Sequence, residues 1–354
     1  MLNASFNVTR LTQAMMLSGV CLASLFGCSQ SNNKAADSTA ASSASATATQ
    51  AGDSKYVAIT AIVEHPALDA VRQGVIEELN NEGFKEGQNL KINFQSAQGN
   101  TATAGQIAKQ FVAEKPDAIV AIATPSAQSM VAATTSIPVI FSAVTDPVAA
   151  KLVKSWDASG TNVTGASDSL PLDPQIELMK KVVPNLKTVG YVYSPGEVNS
   201  TVVLKELEAK LKPMGITVIA APAQRSTDIP QATRGLQGKV QLIYTSLNNN
   251  VVSAYEALYQ AAKEIKVPLV ASDTGSVARG AVAAMGINYK TLGIETGKIV
   301  GRVLKGEAPG SIKPVTLQKL DLYLSPKHAQ EVGITLSPAL IGEAAEVEPA
   351  PAAK

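Results

Sequence analysis

From Tyr56 onward the chain alternates two hydrophobic patterns. Tyr56–Val63 is a continuous apolar, β-branched run, whereas Ala67–Asn81 places its apolar residues at Leu68, Val71, Val75 and Leu79. The first reads as a strand, and the second, with spacings of three and four, as a helix. Gly83 follows as a helix stop, because glycine tolerates left-handed angles. The same alternation predicts strands at Leu90–Phe94, Ala118–Ala123, Val139–Ala143 and Asn162–Ala166, with helices at Thr103–Glu114, Ser126–Thr134 and Asp146–Lys154. A second series predicts strands at Val189–Tyr193, Thr217–Ala221, Leu242–Thr245, Leu269–Ala271 and Ala281–Ile287. Its helices fall at Gln175–Val183, Val198–Leu211, Ile229–Leu236 and Val251–Glu264. Continuous apolar runs belong to strands buried on both faces, as in a parallel sheet covered by helices. Two such series predict an α/β protein of two doubly wound parallel-sheet lobes. A helix at Leu292–Leu304 and a strand at Val315–Leu324 come after the second series is complete. They fit if the chain crosses back to finish the first lobe and then returns to the second.

The first residues carry a different pattern. Arg10 is the only charge before Leu11–Gly27, a mostly apolar or small stretch interrupted by Thr12, Gln13 and serines. It falls short of the ~20 apolar residues of a membrane span and reads as a secretory signal, residues 1–27. Leu25-Phe26-Gly27-Cys28 resembles the bacterial lipobox, in which a small residue precedes a cysteine that is lipidated and becomes the new N-terminus. Cys21 follows Val20, a poor cleavage residue; the alternative is ordinary secretion with an incidental cysteine. Residues 28–54 are almost entirely Ser, Ala, Thr, Gln, Asn and Asp. Such a stretch cannot offset the entropy of ordering its backbone, so it is expected to be a tether. The tail, 342–354, is expected to be loose.

Composition narrows the function. At 354 residues the chain suits about two domains. With 30 Lys+Arg against 29 Asp+Glu, the net charge of +1 argues against a nucleic-acid binder. Two histidines and two cysteines leave little for a zinc site, an iron–sulfur cluster or a Cys/His catalytic pair, so no metal or cofactor is expected. There is no G-x-S-x-G, H-E-x-x-H or C-x-x-C, and no G-x-G-x-x-G after a strand, so the chain is not expected to be an enzyme. Gly293–Lys298 looks like a phosphate loop but is one residue short and lacks the following Ser/Thr; it reads as ordinary helix. His328 follows Ser325-Pro326, a helix start, and is expected on a surface helix.

The strand ends are more informative. In open α/β sheets ligands bind beyond the carboxyl ends of the strands, where helix N-termini present free N–H groups. Polar clusters sit at those ends: Glu64-His65-Pro66, Thr124-Pro125-Ser126, Thr145-Asp146-Pro147, Ser194–Ser200, Ser246–Asn250 and Ser272-Asp273-Thr274. Each alone is an ordinary N-cap. Six from two lobes would converge on one cleft suited to a small polar ligand.

Several of these stretches also carry a resemblance. Glu64–Asp69, Ala123-Thr124-Pro125, Ile137-Pro138-Val139, Thr145-Asp146-Pro147, Gly160–Gly165 and Gly280-Ala281 with Asn288-Tyr289 and Leu292-Gly293 resemble signatures of a family of ABC transporter substrate-binding proteins that includes tryptophan- and tyrosine-binding lipoproteins. The resemblance runs from about Tyr56 to Ile341 and implies the type I periplasmic-binding-protein fold, two lobes joined by three crossovers around a ligand cleft. The first lobe would be 56–166 plus 289–312, and the second 167–288 plus 313–341. Carried over by position, Thr124, Ser126 and Thr145 would meet a ligand carboxylate from the first lobe, with Asp146 among the ligand-binding residues. Asn199, Asn248 and Asp273 would act from the second, Asp273 against an α-ammonium group. Tyr193 and Phe141 could stack on an aromatic ring or be plain core. The implied protein is a monomeric, lipid-anchored receptor in the cell envelope, delivering an amino acid to an ABC permease with its ATPase. A sensor of the same fold, signalling through a membrane receptor, is the alternative.

Overall fold

The computed structural model describes residues 54–348; the expected signal, Cys28 and nearly all of the tether lie outside the described residues. The first series runs β1 (Lys55–Ala61), α1 (Pro66–Asn81), β2 (Leu90–Ser96), α2 (Thr101–Glu114), β3 (Ala118–Ile122), α3 (Thr124–Ala133), β4 (Val139–Ser142) and β5 (Val163–Ser167). The second comprises α4 (Leu172–Val182), β6 (Thr188–Tyr193), α5 (Val198–Leu211), β7 (Thr217–Pro222), α6 (Ile229–Arg234), β8 (Leu242–Thr245), α7 (Asn249–Ser253), α8 (Tyr255–Glu264), β9 (Leu269–Ala271) and β10 (Ala283–Gly286). Then come α9 (Tyr289–Leu304), β11 (Val315–Thr316), β12 (Asp321–Leu324), α10 (Pro326–Glu331), α11 (Pro338–Glu343) and β13 (Glu346–Val347).

Two sheets result. The first, ordered β11-β5-β4-β3-β1-β2, is parallel throughout. The second, ordered β13-β12-β10-β9-β8-β6-β7, is parallel except where β12 runs antiparallel to β10. All residues of β3, β4 and β5 are buried, as continuous apolar runs require of central strands. Helix α9 returns to the first lobe: Leu292, Ile299 and Val300 join the core built on β1, β3 and β4. It lies so close to α1 that a Cβ on Gly293 would strike the Val71 carbonyl oxygen, and one on Gly74 the Lys290 carbonyl oxygen. The glycines that imitate a phosphate loop are therefore there for helix contact. The chain passes between the lobes three times, at 168–171, 287–288 and 317–320. Tyr289 Oη donates to Asp168 Oδ2 across 3.1 Å, tying the first crossing to the second.

The structure corrects several expectations. Asp146–Lys154 is a run of turns: Asp146 Oδ1 accepts from the N–H groups of Val148 and Ala149, and Lys151 at φ 60° stops helical winding. The helix expected at Val251–Glu264 breaks at Ala254 into α7 and α8. Val315–Leu324 is two strands in different sheets, so Val315 and Thr316 pair with β5 of the first lobe rather than joining the second. An extended pattern reports backbone shape, not which sheet receives it. The expected loose tail is ordered at its start: α11 ends at Glu343, which pairs with Lys181, and Glu346 aligns with Tyr323 on the edge of the second sheet. His328 is buried against the Tyr259 ring, with Nδ1 3.4 Å from the Ala281 carbonyl oxygen, not on a surface.

Candidate functional site

Parallel strands all end on the same side, so the polar clusters after them collect where the lobes meet. In the first lobe, β1 leads to His65, whose Nδ1 accepts from Leu68 N–H at 3.5 Å and caps α1. β3 turns straight into α3 through Ala123 at φ 74°, and β4 leaves through Ala143 at φ 54°. A β-carbon makes both angles costly, and such strain gathers at functional sites. In the second lobe, Glu197 is buried and gathers N–H groups from Asn249 (main chain 3.1 Å, side chain 2.6 Å), Asn250 (3.2 Å) and Asn199 (3.2 Å). Burial raises its carboxyl pKa, and those four bonds pull it back.

Two neighbouring cavities lie between these ends. The inner is narrow, about 10 Å³, with His65, Asp168, Leu247, Asn249, Asp273 and Tyr289 among its walls. The outer, about 170 Å³, has Thr145, Asp146, Trp156 and Leu170 on one side and Val203, Glu206, Tyr244, Ser246 and Ser272 on the other. Leu247 lines both.

The electrostatics of the inner cavity are one-sided. Burial lifts the Asp168 carboxyl to about 6, against lowering effects of the Thr145 and Tyr289 hydroxyls. Its Oδ2 accepts from Tyr289, while Oδ1 has no hydrogen-bond partner at normal distance. Asp273 is also raised by burial, opposed by Ser276, Gly275 and the charge of Arg279. His65 is pushed down to about 3 by burial and then by Arg279, so its imidazole is neutral at physiological pH. Arg279 is itself held in a two-pronged pair with Glu256, at 2.6 and 2.7 Å. Among the described residues, neither a lysine nor an arginine lines the inner cavity. Two buried carboxylates without a lining cation leave room for a cationic group from outside. Among the described residues no group of three or more His, Cys, Asp or Glu is placed to hold a metal ion.

The residues expected from sequence are distributed as follows. Asp273 lines the inner cavity and caps the turn after β9, accepting from Gly275 N–H at 3.1 Å and Ser276 Oγ at 2.9 Å. Thr145 and Asp146 line the outer cavity. Thr124 and Ser126 are buried on the first turn of α3 and line neither; Ser126 Oγ has no hydrogen-bond partner. Asn199 donates to Leu247 O at 2.9 Å and to Glu197, and Asn248 caps α7; both stand behind the walls. Phe141 is fully buried core, and Tyr193 stacks on Tyr191 at 5.9 Å. Sequence reasoning gave no site role to Asp168, Tyr289, Trp156 or Leu247, although Tyr289 and Leu247 lie in stretches it quoted. A lone carboxylate just past the last strand of the first series was the one available sign of Asp168, and only the crossover shows what it faces.

Comparison with known proteins agrees with this architecture. Residues 56–348 match the family model described as ABC transporter substrate binding protein. The chain is 38% identical over 313 residues to a tyrosine-binding protein of Clostridioides difficile, covering 88% of this chain and 89% of that one. A conserved domain protein from Vibrio cholerae, of known crystal structure, superposes with a TM-score of 0.83 at 42% identity, over 84% of this chain and all of that one. An ABC domain from Streptococcus pneumonia, crystallised with L-Trp, gives 0.81 at 34% identity over the same shares. The chain belongs to the ABC transporter substrate-binding protein family, and its fold is the type I periplasmic-binding-protein fold. Family and fold are those of solute-binding proteins rather than enzymes.

Proposed function

We propose that this substrate-binding protein is the extracytoplasmic receptor of an ABC importer, that it closes on an amino acid, preferentially an aromatic one, and that it hands the ligand to the permease. The observation that carries the reading is the pair of buried carboxylates, Asp168 and Asp273, on an interlobe cavity without a lining lysine or arginine. An α-ammonium group supplies the missing charge. The ligand carboxylate is assigned to the first lobe, to Thr145; Thr124 and Ser126, buried on the first turn of α3 and lining neither cavity, are not assigned to it. Asp146 belongs to the same wall, and Asn199 and Asn248 hold the second-lobe wall in shape. The names of the tyrosine-binding and L-Trp-bound relatives favour an aromatic side chain.

The protein is proposed to be a monomer anchored by a lipidated Cys28, the cysteine of Leu25-Phe26-Gly27-Cys28. Among the described residues no helix is long and apolar enough to cross a membrane. Thermal shift across the common amino acids tests the ligand class. A ligand at 100 times its Kd adds about 2.7 kcal/mol to stability. A shift with a sugar or nucleoside and none with any amino acid would replace this reading. Cys28→Ser should abolish palmitate labelling and membrane partition while leaving ligand binding intact, since firm anchoring depends on the acyl chains.

A further inference from the structure

Glu197 lines neither cavity, yet it controls a residue that lines one. It sits just before α5, buried to 7% exposure, and all four of its side-chain hydrogen bonds come from amide N–H groups. Three converge on Oε2: the Asn249 main chain at 3.1 Å, Asn249 Nδ2 at 2.6 Å and Asn199 Nδ2 at 3.2 Å. Oε1 takes the fourth, from Asn250 N–H at 3.2 Å. With donors on both oxygens, the carboxyl accepts on each side and has no place for a proton of its own.

That arrangement fixes the direction of the Asn249 side-chain amide. An acceptor draws the NH2 side, so Nδ2 faces Glu197 and Oδ1, on the other arm of the same carbon, turns away from it. Asn249 is a wall of the inner cavity together with Asp168 and Asp273. Its Nδ2 is spent on Glu197, which leaves Oδ1 as the polar atom it can offer to a ligand. An ammonium group carries three N–H donors, and a buried cation is tolerated only where each of them is met. Two carboxylates and one amide oxygen place three acceptors on one cavity. Asn199 ties the same segment down from behind, donating to the Leu247 carbonyl at 2.9 Å, and the Leu247 side chain packs on the first-lobe core.

Building on the amino-acid reading above, we propose that Glu197 is a positioning residue for ligand recognition: it holds the Asn249 amide with Oδ1 toward the inner cavity, as the third acceptor for the ligand ammonium. Glu197 itself does not touch the ligand. Its effect on binding passes through Asn249.

The test is calorimetry with L-tyrosine, L-tryptophan and their desamino analogues, in which hydrogen replaces the ammonium group. The proteins are the parent, Asn249→Ala, Glu197→Met, Glu197→Gln and the double variant of Asn249→Ala with Glu197→Met. Asn249→Ala should weaken the amino acids about tenfold or more, the worth of a hydrogen bond to a charged group, and leave the desamino analogues within about twofold. Methionine offers no acceptor, so Glu197→Met should narrow the same amino-acid-to-analogue ratio at least about threefold. Glutamine has a carbonyl oxygen to put where three N–H groups converge, so Glu197→Gln should stay within about threefold of the parent. The double variant should bind within about twofold of Asn249→Ala alone, because the two residues act in series. Where Glu197→Met does not fold, nuclear magnetic resonance on the parent decides instead: the Asn249 side-chain N–H protons should exchange slowly with water even without ligand. Fast exchange there, amino acids and analogues weakened alike, or losses that multiply in the double variant would each overturn this role while leaving the amino-acid reading standing. If no amino acid binds the parent, both fall.

Discussion

Replacing Asp168 with asparagine separates what this residue costs the fold from what it does for the ligand. Burial raises its carboxyl from 3.8 to about 6 in the unliganded protein. A rise of that size corresponds to roughly 3 kcal/mol. The folded state holds the proton more tightly than the unfolded chain, so this carboxyl loses stability as pH rises from about 4 to 6, and the full penalty remains above 6. Asparagine keeps an acceptor for Tyr289 and has no charge to desolvate. Unliganded Asp168→Asn should therefore melt several degrees above the parent at pH 7.5, with the difference closing near pH 4. With ligand the order reverses. Losing the counter-charge to a buried ammonium costs about 2–5 kcal/mol, so calorimetry should show affinity lower by at least about thirtyfold. The parent's affinity should itself fall below pH 6 as Asp168 takes up a proton, and the variant should lose that component of the pH dependence. An asparagine variant that melts no higher than the parent at pH 7.5 and binds the ligand equally well would refute this account of the site.

Other expectations follow from neighbouring residues. His65, held near 3 against an ordinary 6.5, is neutral when folded, so stability should be lost as pH falls below about 6.5, by up to ~1.4 kcal/mol per unit; urea melts from pH 7 to 5 should show the slope, reduced in His65→Asn. Asp273→Asn should lower ligand affinity more than Thr145→Ala, by about 2–5 against 1–3 kcal/mol, because a charge partner is lost in one and a neutral hydroxyl in the other. Equal affinities for Asp273→Asn and the parent would reduce Asp273 to the cap it forms on Gly275 and Ser276. Gly293→Ala should cost about 1–3 kcal/mol in denaturant melts by pushing α9 off α1, and a variant as stable as the parent would remove the close helix contact from the account.

Much of the architecture was legible along the chain. Short, β-branched apolar runs such as Ala118–Ile122 suit strands covered on both faces, and Leu68, Val71, Val75 and Leu79 share one face of a helix, so the α/β class and the order of elements are local information. The polar strand ends were equally visible, because caps and turns are built from side chains acting on their own backbone. Partners distant in sequence were not visible. Val315 and Thr316 read like the strand that follows them, yet β11 pairs with β5 and β12 with β10, a choice made by the crossovers. His328 looked like an exposed position until Tyr259 and Ala281 closed over it. Asp168 belongs to no periodic pattern or cap motif, and it becomes a buried charge only because Tyr289, 121 residues later, folds against it. Hydrophobic periodicity records which face of an element is covered. The covering group, and the charge left without a partner beneath it, are decided only when the two lobes are built from separated stretches of chain.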